Sequence, residues 1–587
     1  MATGGKLFEP LEQAAGDVCT DCTAAAGLAH TGMNPLSGSK LKPLLAYLVP
    51  VALISPSVLW IALDESVWHW DQAFYGRSSV ELFHVLVHEP TDWISRMLDV
   101  LHWKAPGVAW LGQFFVPLGG LVGSIDVALM LSILVTQLLT LVFMYRSILE
   151  LSSQDQLLAV TGCLLSVSGP LFIGMAHQYL TEPLQLLAVT WLVLIMSFAP
   201  KFNRAFLLSQ LLAVTSVAML AKVSSPLYCA GPGLLALWYV FRPEPVSLVK
   251  REYSKKRLMV TLAAGVLLSL GAVGWYYRNI TYVMQHVAVA SSGPIAEIYG
   301  KKDTFMSTMI YWLGAFQESF FPPSIFLLVS LVVVFAVTAY FIRPRPFSKH
   351  FTLCSAISAV QIITVLIVFS FSSNRAERYL LPLLPYVVVL ICWALAQINK
   401  PVLVGLTAVF FLGQLAGTYG QALGFLRVVP TAAWLFPPDS DPKKATILNS
   451  IVSRTCTKTG SERYWTIIGI EQPWLNHESA AYFAAKSLSF DNRIGCHYGS
   501  VRDFSQSPEK IWNWILSAQI RYYVTMNPDP DPVAADSHSQ ALNRNYLPML
   551  KKVRTSGLFD LEPPLPDAPG ILIFRRREIT PQSNIAK

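Results

Sequence analysis

Long apolar stretches limit what this chain can fold into more than any other feature. A helix needs about 20 mostly apolar residues to cross a bilayer, because backbone polar groups inside the hydrocarbon must be satisfied within the segment itself. Stretches of that kind run over 43–63, 126–148, 156–177, 181–199, 205–222, 226–242, 257–277, 323–342, 350–371, 379–398 and 401–420. They predict about eleven spanning helices in a polytopic α-helical membrane protein. Composition agrees: of 587 residues 53% are hydrophobic and 14% charged, too few polar side chains to coat a soluble globule of this length. The stretch 107–122 is apolar but shorter, with Gly119-Gly120 near its end, and reads as a helix lying in or dipping into the interface.

The net charge of +8 invites a nucleic-acid reading until the basic residues are located. Lys40 and Lys42, Arg146, Lys201 and Arg204, the run Arg242, Lys250, Arg251, Lys255, Lys256 and Arg257, then Arg343, Arg345, Lys349 and Lys400, occupy short loops. With a cytoplasmic N-terminus these clusters all fall on the cytoplasmic side, as the positive-inside rule requires. Membrane lipids then account for the excess charge, and no nucleic-acid partner is expected. Counting 107–122 as a full span would turn the Lys250 to Arg257 cluster outward, against the rule. On the preferred topology the first outer loop 64–125, the boundaries near Glu182 and Lys222, the fourth outer loop 278–322, the loop 372–378 and everything after residue 421 lie outside.

The chain divides accordingly into a tail 1–42, a transmembrane part 43–420 and a polar part 421–587. The tail is rich in Gly, Ala, Ser and Thr, lacks the pattern of a signal peptide, and is expected to be disordered and cytoplasmic. Its Cys19 and Cys22 form a lone C-x-x-C without visible partners. Cys163, Cys229, Cys354 and Cys392 fall in apolar runs and read as packing residues. Within the first outer loop, Trp93, Ile94, Met97, Leu98 and Leu101 repeat with helical spacing between polar residues, which predicts an amphipathic helix lying flat on the membrane. In the polar part, strands at 464–470, 520–526 and 570–575 alternate with helices at 476–488 and 511–517, the pattern of a small α/β domain. A lid or acceptor-docking surface is its default role. Cys456 and Cys496 lie there, on the outer side, where a disulfide is chemically allowed.

Five segments resemble the GT-C superfamily of polyprenyl-phosphate-sugar glycosyltransferases, the group of protein O-mannosyltransferases and lipid A aminoarabinose transferases. They are LDES (Leu63 to Ser66), HWKAPGVAWLG (His102 to Gly112), SGPLFIGMAHQYLTEPL (Ser168 to Leu184), WYYRN (Trp275 to Asn279) and RAERYLLPLLP (Arg375 to Pro385). The resemblance covers roughly 45–400. It departs at Ala105 and Gly107, where proline and leucine are usual, and at Glu182, where aspartate is commoner. A sugar-binding insert of the mannosyltransferase type is not seen in the fourth outer loop.

The resemblance implies an integral protein of a bacterial plasma (inner) membrane with an extracytoplasmic site. Its partners would be a polyprenyl-phosphate-linked sugar donor, pentose or hexose, and a lipid, glycan or protein acceptor. Transfer passes through an oxocarbenium-like transition state while an acceptor hydroxyl loses its proton, which calls for a carboxylate base and a cationic cradle for the leaving phosphate. The resemblance carries the base onto Asp64, with Glu65 to orient it or to hold a divalent metal ion, the candidate cofactor. Lys104, Arg278, Arg375 and Arg378 are the candidate phosphate ligands, with Lys222 and Glu182 beside them and Tyr277 and Tyr379 as hydrogen-bonding partners. His102 and His286 lack metal-binding spacing, and the sequon Asn279-Ile280-Thr281 overlaps WYYRN. The alternatives from other classes are a secondary transporter, which would show broken helices in two corresponding halves, and a non-catalytic membrane assembly subunit.

Overall fold

A computed structural model describes residues 38–242, 255–293, 296, 300, 303–321, 323–342, 349–398, 401–423, 441–456, 464–488, 496–501, 507–518, 520–529 and 537–577. Cys19 and Cys22, most of the predicted tail, Lys250, Arg251, Arg343, Arg345 and Lys400 lie outside the described residues. Met1–Leu45 and Ala46–Lys587 form separate compact units, and the core and the site belong to the second.

The membrane part runs α1 Gly38–Leu63, α2 Trp70–His88, α3 Trp93–Asp99, α4 Gly107–Gly112, α5 Gly119–Val122, α6 Ile125–Leu151, α7 Gln156–Ser168, α8 Pro170–Ala176, α9 Glu182–Phe198, α10 Arg204–Ala221, α11 Ser225–Phe241 and α12 Lys255–Ser292. It continues with α13 Phe305–Phe320, α14 Pro323–Ile342, α15 Lys349–Phe369, a 3-10 turn Glu377–Leu383, α16 Leu384–Ile398 and α17 Pro401–Ala422. Every stretch predicted to span is helical. Among the described residues 8 helices are long and apolar enough to cross a membrane, or 9 if the pair α7 and α8, bent by 68°, is one span. The bend falls at Gly169-Pro170, where proline has no amide hydrogen to continue the ladder. At 17 residues α11 is shorter than a full span.

Residues repeating every three or four positions lock the centre. Ala188, Leu192 and Ile195 of α9 meet Leu207, Leu211, Val214 and Ala218 of α10, and Ala236 and Val240 of α11 close the cluster. Two departures from the sequence reading matter. The apolar stretch 107–122 breaks into α4, a 3-10 turn at Val116–Leu118 and α5, and the break keeps it short. Helix α12 continues to Ser292, 38 residues in all, because neither Gly nor Pro interrupts the chain after Trp275. The WYYRN segment therefore sits within a helix instead of following one.

The polar part comprises α18 Pro442–Thr455, β1 Tyr464–Ile468, α19 His477–Ser487, β2 Cys496–Ser500, α20 Pro508–Ser517, β3 Ile520–Met526, α21 Ser537–Leu542, α22 Tyr546–Thr555, β4 Phe559–Leu561 and β5 Ile571–Arg576. One sheet has the order β2-β1-β3-β5-β4, parallel through β2, β1 and β3 and antiparallel at β5 and β4. Strand β2, Cys-His-Tyr-Gly-Ser, has no β-branched residue and gave no sequence signal. Helix α19 starts at Asn476, whose Oδ1 accepts from the Ser479 amide at 2.9 Å.

This helix fastens the domain to the membrane part. The Tyr482 ring stacks on Trp68 at 5.0 Å, and Trp68 stacks on Tyr179 at 5.2 Å on its other side. Ser479 Oγ donates to the Trp68 carbonyl at 2.7 Å. Asp126, in the first turn of α6, accepts from Lys486 Nζ at 2.7 Å and from the Tyr482 hydroxyl.

Cys456 and Cys496 form a disulfide, with Cα atoms 5.6 Å apart, between the end of α18 and the start of β2. It closes a loop across a sequence separation of 40 residues. Replacing Cys496 by Ser should lower the stability of the polar domain by about 2–4 kcal/mol. A thermal melt of the full chain with and without reductant, monitored by limited proteolysis at residues 441–577, checks this; equal melts would refute it.

Candidate active site

An ion network at one end of the helices gathers residues from distant parts of the chain. Asp71 occupies the first turn of α2, where a carboxylate is favoured by the helix dipole. Lys104 follows α3 on a turn closed by its amide donating to the Leu101 carbonyl at 2.9 Å. Leu101 there has φ of 59°, a left-handed conformation that redirects the chain toward α2. Arg378 lies on the 3-10 turn before α16, Glu182 opens α9, and Lys222 ends α10.

The contacts are direct. Lys104 Nζ meets Asp71 Oδ1 at 2.5 Å, and Arg378 Nη2 meets Asp71 Oδ2 at 3.0 Å. Arg378 Nε reaches Glu182 Oε1 at 3.2 Å, and Lys222 Nζ holds the same oxygen at 2.7 Å. Lys222 also rests on the Tyr379 ring at 4.1 Å, and Lys104 on the Trp103 ring at 4.5 Å. Three cations face two carboxylates, so the network carries one positive charge in excess. Burial works against ionised Asp71, but Lys104 and Arg378 outweigh it and hold the carboxyl well below the usual carboxylate range.

Asp71, Lys104, Arg378 and Tyr379 line a cavity of about 150 Å³, closed on other sides by His286 of α12 and by His477 and Glu478 of α19. A larger cavity of about 660 Å³ adjoins it, sharing Phe74 and Trp103. Its lining mixes polar groups, Arg77, Glu81, Arg96, Asp99 and His497 of β2, with apolar ones such as Leu82, Val85 and Trp103.

The sequence candidates therefore separate into two groups. Lys104, Glu182, Lys222, Arg378 and Tyr379 meet in one network. Asp64 instead accepts from the Ser66 amide at 3.1 Å and from Ser66 Oγ at 3.0 Å, and neither it nor the exposed Glu65 lines the cavity. Arg375 pairs with Asp303 at 2.8 Å and lies over the Tyr311 ring, although its neighbours Asn374 and Ala376 line the cavity.

The WYYRN segment grips the backbone and side chains of residues 98–100. Trp275 Nε1 donates to the Val100 carbonyl at 3.0 Å, Asn279 Nδ2 to the Leu98 carbonyl at 2.8 Å, and Arg278 pairs with Asp99 at 2.6 Å. These residues share one face of α12, whereas Tyr277 points away, 88% exposed. Buried Asn279 also meets His102 Nδ1 through its Oδ1 at 2.8 Å. Gly107 lies against the end of α10, where an added Cβ would come within 2.6 Å of the Leu220 carbonyl oxygen. Leucine at that position would push the Lys104 loop outward.

Sequence reasoning missed Asp71, His477 and Glu478. The available signal for Asp71 was a lone carboxylate among aromatics in Trp68-His69-Trp70-Asp71. For His477 and Glu478 no local signal existed, since the fold brings them in from across the chain. Among the described residues no three His, Cys, Asp or Glu side chains group as metal ligands, and both Asp71 oxygens and Glu182 Oε1 are engaged by cations. The donor set at Asp71 and Glu182 does not fit a metal ion.

The fold is that of ArnT, in keeping with the GT-C-like architecture implied by the sequence resemblance. The chain is similar to ArnT from Cupriavidus metallidurans in the apo state, with a TM-score of 0.53 and 14% identity over 91% of this chain and 98% of that one. It is equally similar to ArnT bound to undecaprenyl phosphate, with a TM-score of 0.52 and 15% identity over 92% and 99% of the two chains. No family model matches the sequence, and neither does any curated protein.

Burial disfavours the charged form of His477, but Glu471 and Glu478 more than compensate and raise its pKa from 6.5 to about 9. The group therefore contributes stability in full below pH 6.5 and loses it as pH rises through 9. Thermal melts of wild type should fall across that window, while His477→Gln should melt with a flatter pH profile. Parallel profiles would refute the assignment.

Proposed function

We propose that the chain is a membrane glycosyltransferase that moves a pentosyl or hexosyl group from a polyprenyl-phosphate-linked donor to an extracytoplasmic lipid, glycan or protein acceptor, with inversion. The observation that carries this reading is the ion network beside the cavity, with one positive charge in excess. Lys104, Lys222 and Arg378 come from three separate segments and converge on Asp71 and Glu182 within a GT-C fold. Undecaprenyl phosphate, bound in the similar ArnT structure, is the kind of lipid phosphate such a site would take. The outer-face location is supported by the basic clusters of the opposite loops and by the Cys456–Cys496 disulfide, a bond that persists in oxidising compartments.

The donor phosphate competes with Asp71 for Lys104 and Arg378. Once those cations turn to the phosphate, the force that keeps the Asp71 carboxyl acidic weakens and it becomes a better base. For a hydroxyl acceptor, Asp71 takes the O–H proton as the acceptor oxygen bonds the anomeric carbon from the face opposite the phosphate. The carbon–oxygen bond to the phosphate breaks, and its electron pair leaves with the polyprenyl phosphate. The charge that develops there is met by Lys104 and Arg378, with Lys222 behind them through Glu182. Asp71 takes the role expected of Asp64 because Asp71 lines the cavity. Arg278 and Arg375 brace the surrounding loops, and the acceptor approaches from the larger cavity.

Mass spectrometry of the purified protein should find a bound polyprenyl-phosphate lipid. In a transfer assay with that lipid-linked sugar, Asp71→Asn should lower turnover by about 10²–10⁴-fold while lipid binding persists. Lys104→Ala should cost about 10²–10³-fold, and Asp64→Asn should stay close to wild type. Full activity in Asp71→Asn would overturn the assignment of the base, whereas no transfer by the wild type would favour a transporter or a non-catalytic subunit.

A further inference from the structure

Asp71 is one residue from Trp70, and Trp70 is held by the polar domain. Its Nε1 donates to Glu471 Oε2 at 2.6 Å, across a sequence separation of 401 residues. Glu471 follows β1 and is itself fixed. Its backbone amide donates to Asn543 Oδ1 at 2.7 Å, and its carbonyl accepts from Asn543 Nδ2 at 2.9 Å. Its other carboxylate oxygen faces His477 Nδ1 at 3.0 Å and accepts from Ser500 Oγ of β2.

The chain of contacts returns to α2. His477 Nε2 faces Glu478 Oε1 at 3.4 Å, and Glu478 Oε2 pairs with Arg77 of α2 at 3.2 Å. Arg77 lies two helical turns beyond Trp70, so the first turns of α2 are clasped at both ends by one cluster. Glu471 is 2% exposed. The helix start that carries Asp71 thus depends on the polar domain for its order.

We infer that Glu471, His477 and Glu478 of the polar domain are positioning residues that fix the start of α2, through Trp70 and Arg77, and so aim the Asp71 carboxylate into the cavity. The clasp has a charge requirement. Two carboxylates, Glu471 and Glu478, are offset by the His477 imidazolium and Arg77, with Lys104 the further cation acting on Glu478. Removing the imidazolium charge leaves the Glu471 and Glu478 carboxylates facing each other across the ring, which favours separation of α19 from the end of β1 and loosens the hold of Glu471 on Trp70. The polar domain is then part of the active site in a mechanical sense and cannot be detached without disordering Asp71.

The kinetic arm of the test rests on the transferase reading, and the structural arm does not. Hydrogen exchange followed by mass spectrometry on the full chain in detergent reads the amides of residues 69–77 directly. Glu471→Gln, His477→Gln and Trp70→Phe should each raise exchange there at least fivefold, with α6 and β3 unchanged. His477→Lys, which keeps the charge, should restore part of the protection. In the transfer assay the same variants should lose roughly tenfold in kcat with the donor KM within twofold.

Unchanged exchange at 69–77 in both Trp70→Phe and His477→Gln overturns the clasp, whatever the enzyme does. Raised exchange with wild-type kcat overturns its role in aiming Asp71. If His477→Gln loosens α6 as well, the protein has unfolded, and Trp70→Phe, which removes the indole donor while keeping an aromatic ring, decides. A wild-type protein without transferase activity, but with exchange responding as stated, leaves the clasp standing and removes the transferase reading alone.

Discussion

The structure around the cavity depends on the pairing of Asp71 with Lys104 and Arg378. A carboxylate largely removed from water is costly unless cations compensate it, and breaking such a pair costs more than its formation gains. Asp71 needs both partners, and each partner arrives on a segment that must be placed independently. Arg378 is then shared with Glu182, and Glu182 with Lys222. The start of α2, the Lys104 loop, the end of α10, the start of α9 and the 3-10 turn before α16 are tied together by charge at one level of the bundle. Apolar packing alone would leave these ends free to shift, because lipid and leucine compete equally for an apolar helix face.

The same network gives the site its chemistry. Cations already desolvated and held by carboxylates are preorganised for a stronger anion, so a phosphate that displaces Asp71 meets ligands needing little rearrangement. The displaced carboxylate is left with fewer cations and a greater affinity for a proton. Phosphate binding and base activation are thereby one event in the proposed mechanism. The grip of Trp275, Arg278 and Asn279 on the 98–100 backbone serves this arrangement, since it fixes the loop from which Lys104 projects. The polar domain serves it from the other side, through α19.

Much of this was legible in the sequence, and the limits follow from physical range. Long apolar runs named the helices. The alternation of short strands and helices named the α/β domain, though Cys496–Ser500 escaped because Tyr498 is its lone strongly strand-favouring residue and no apolar alternation marks it. The segment resemblances reached Lys104, Glu182, Arg378 and Tyr379, and its place at the end of a span named Lys222; the fold brings these together. They also reached Arg278, Arg375 and Tyr277, which lie on GT-C-like segments but turn to neighbouring loops or away from the cavity. Helix phase decides such cases: Arg278 and Tyr277 are adjacent in sequence and about 100° apart around α12.

The sequence by itself determined what each segment is, because hydrophobic length and periodicity act over a few turns of chain and need no partner to be read. It could not determine that Asp71, and not Asp64, faces the cations, nor that His477 and Glu478 complete the cavity. Those outcomes depend on which ends of separate helices meet, across separations of 307 residues between Asp71 and Arg378 and 401 between Trp70 and Glu471. Only tertiary packing brings such groups within hydrogen-bonding distance, where the cost of burying a charge selects its partner.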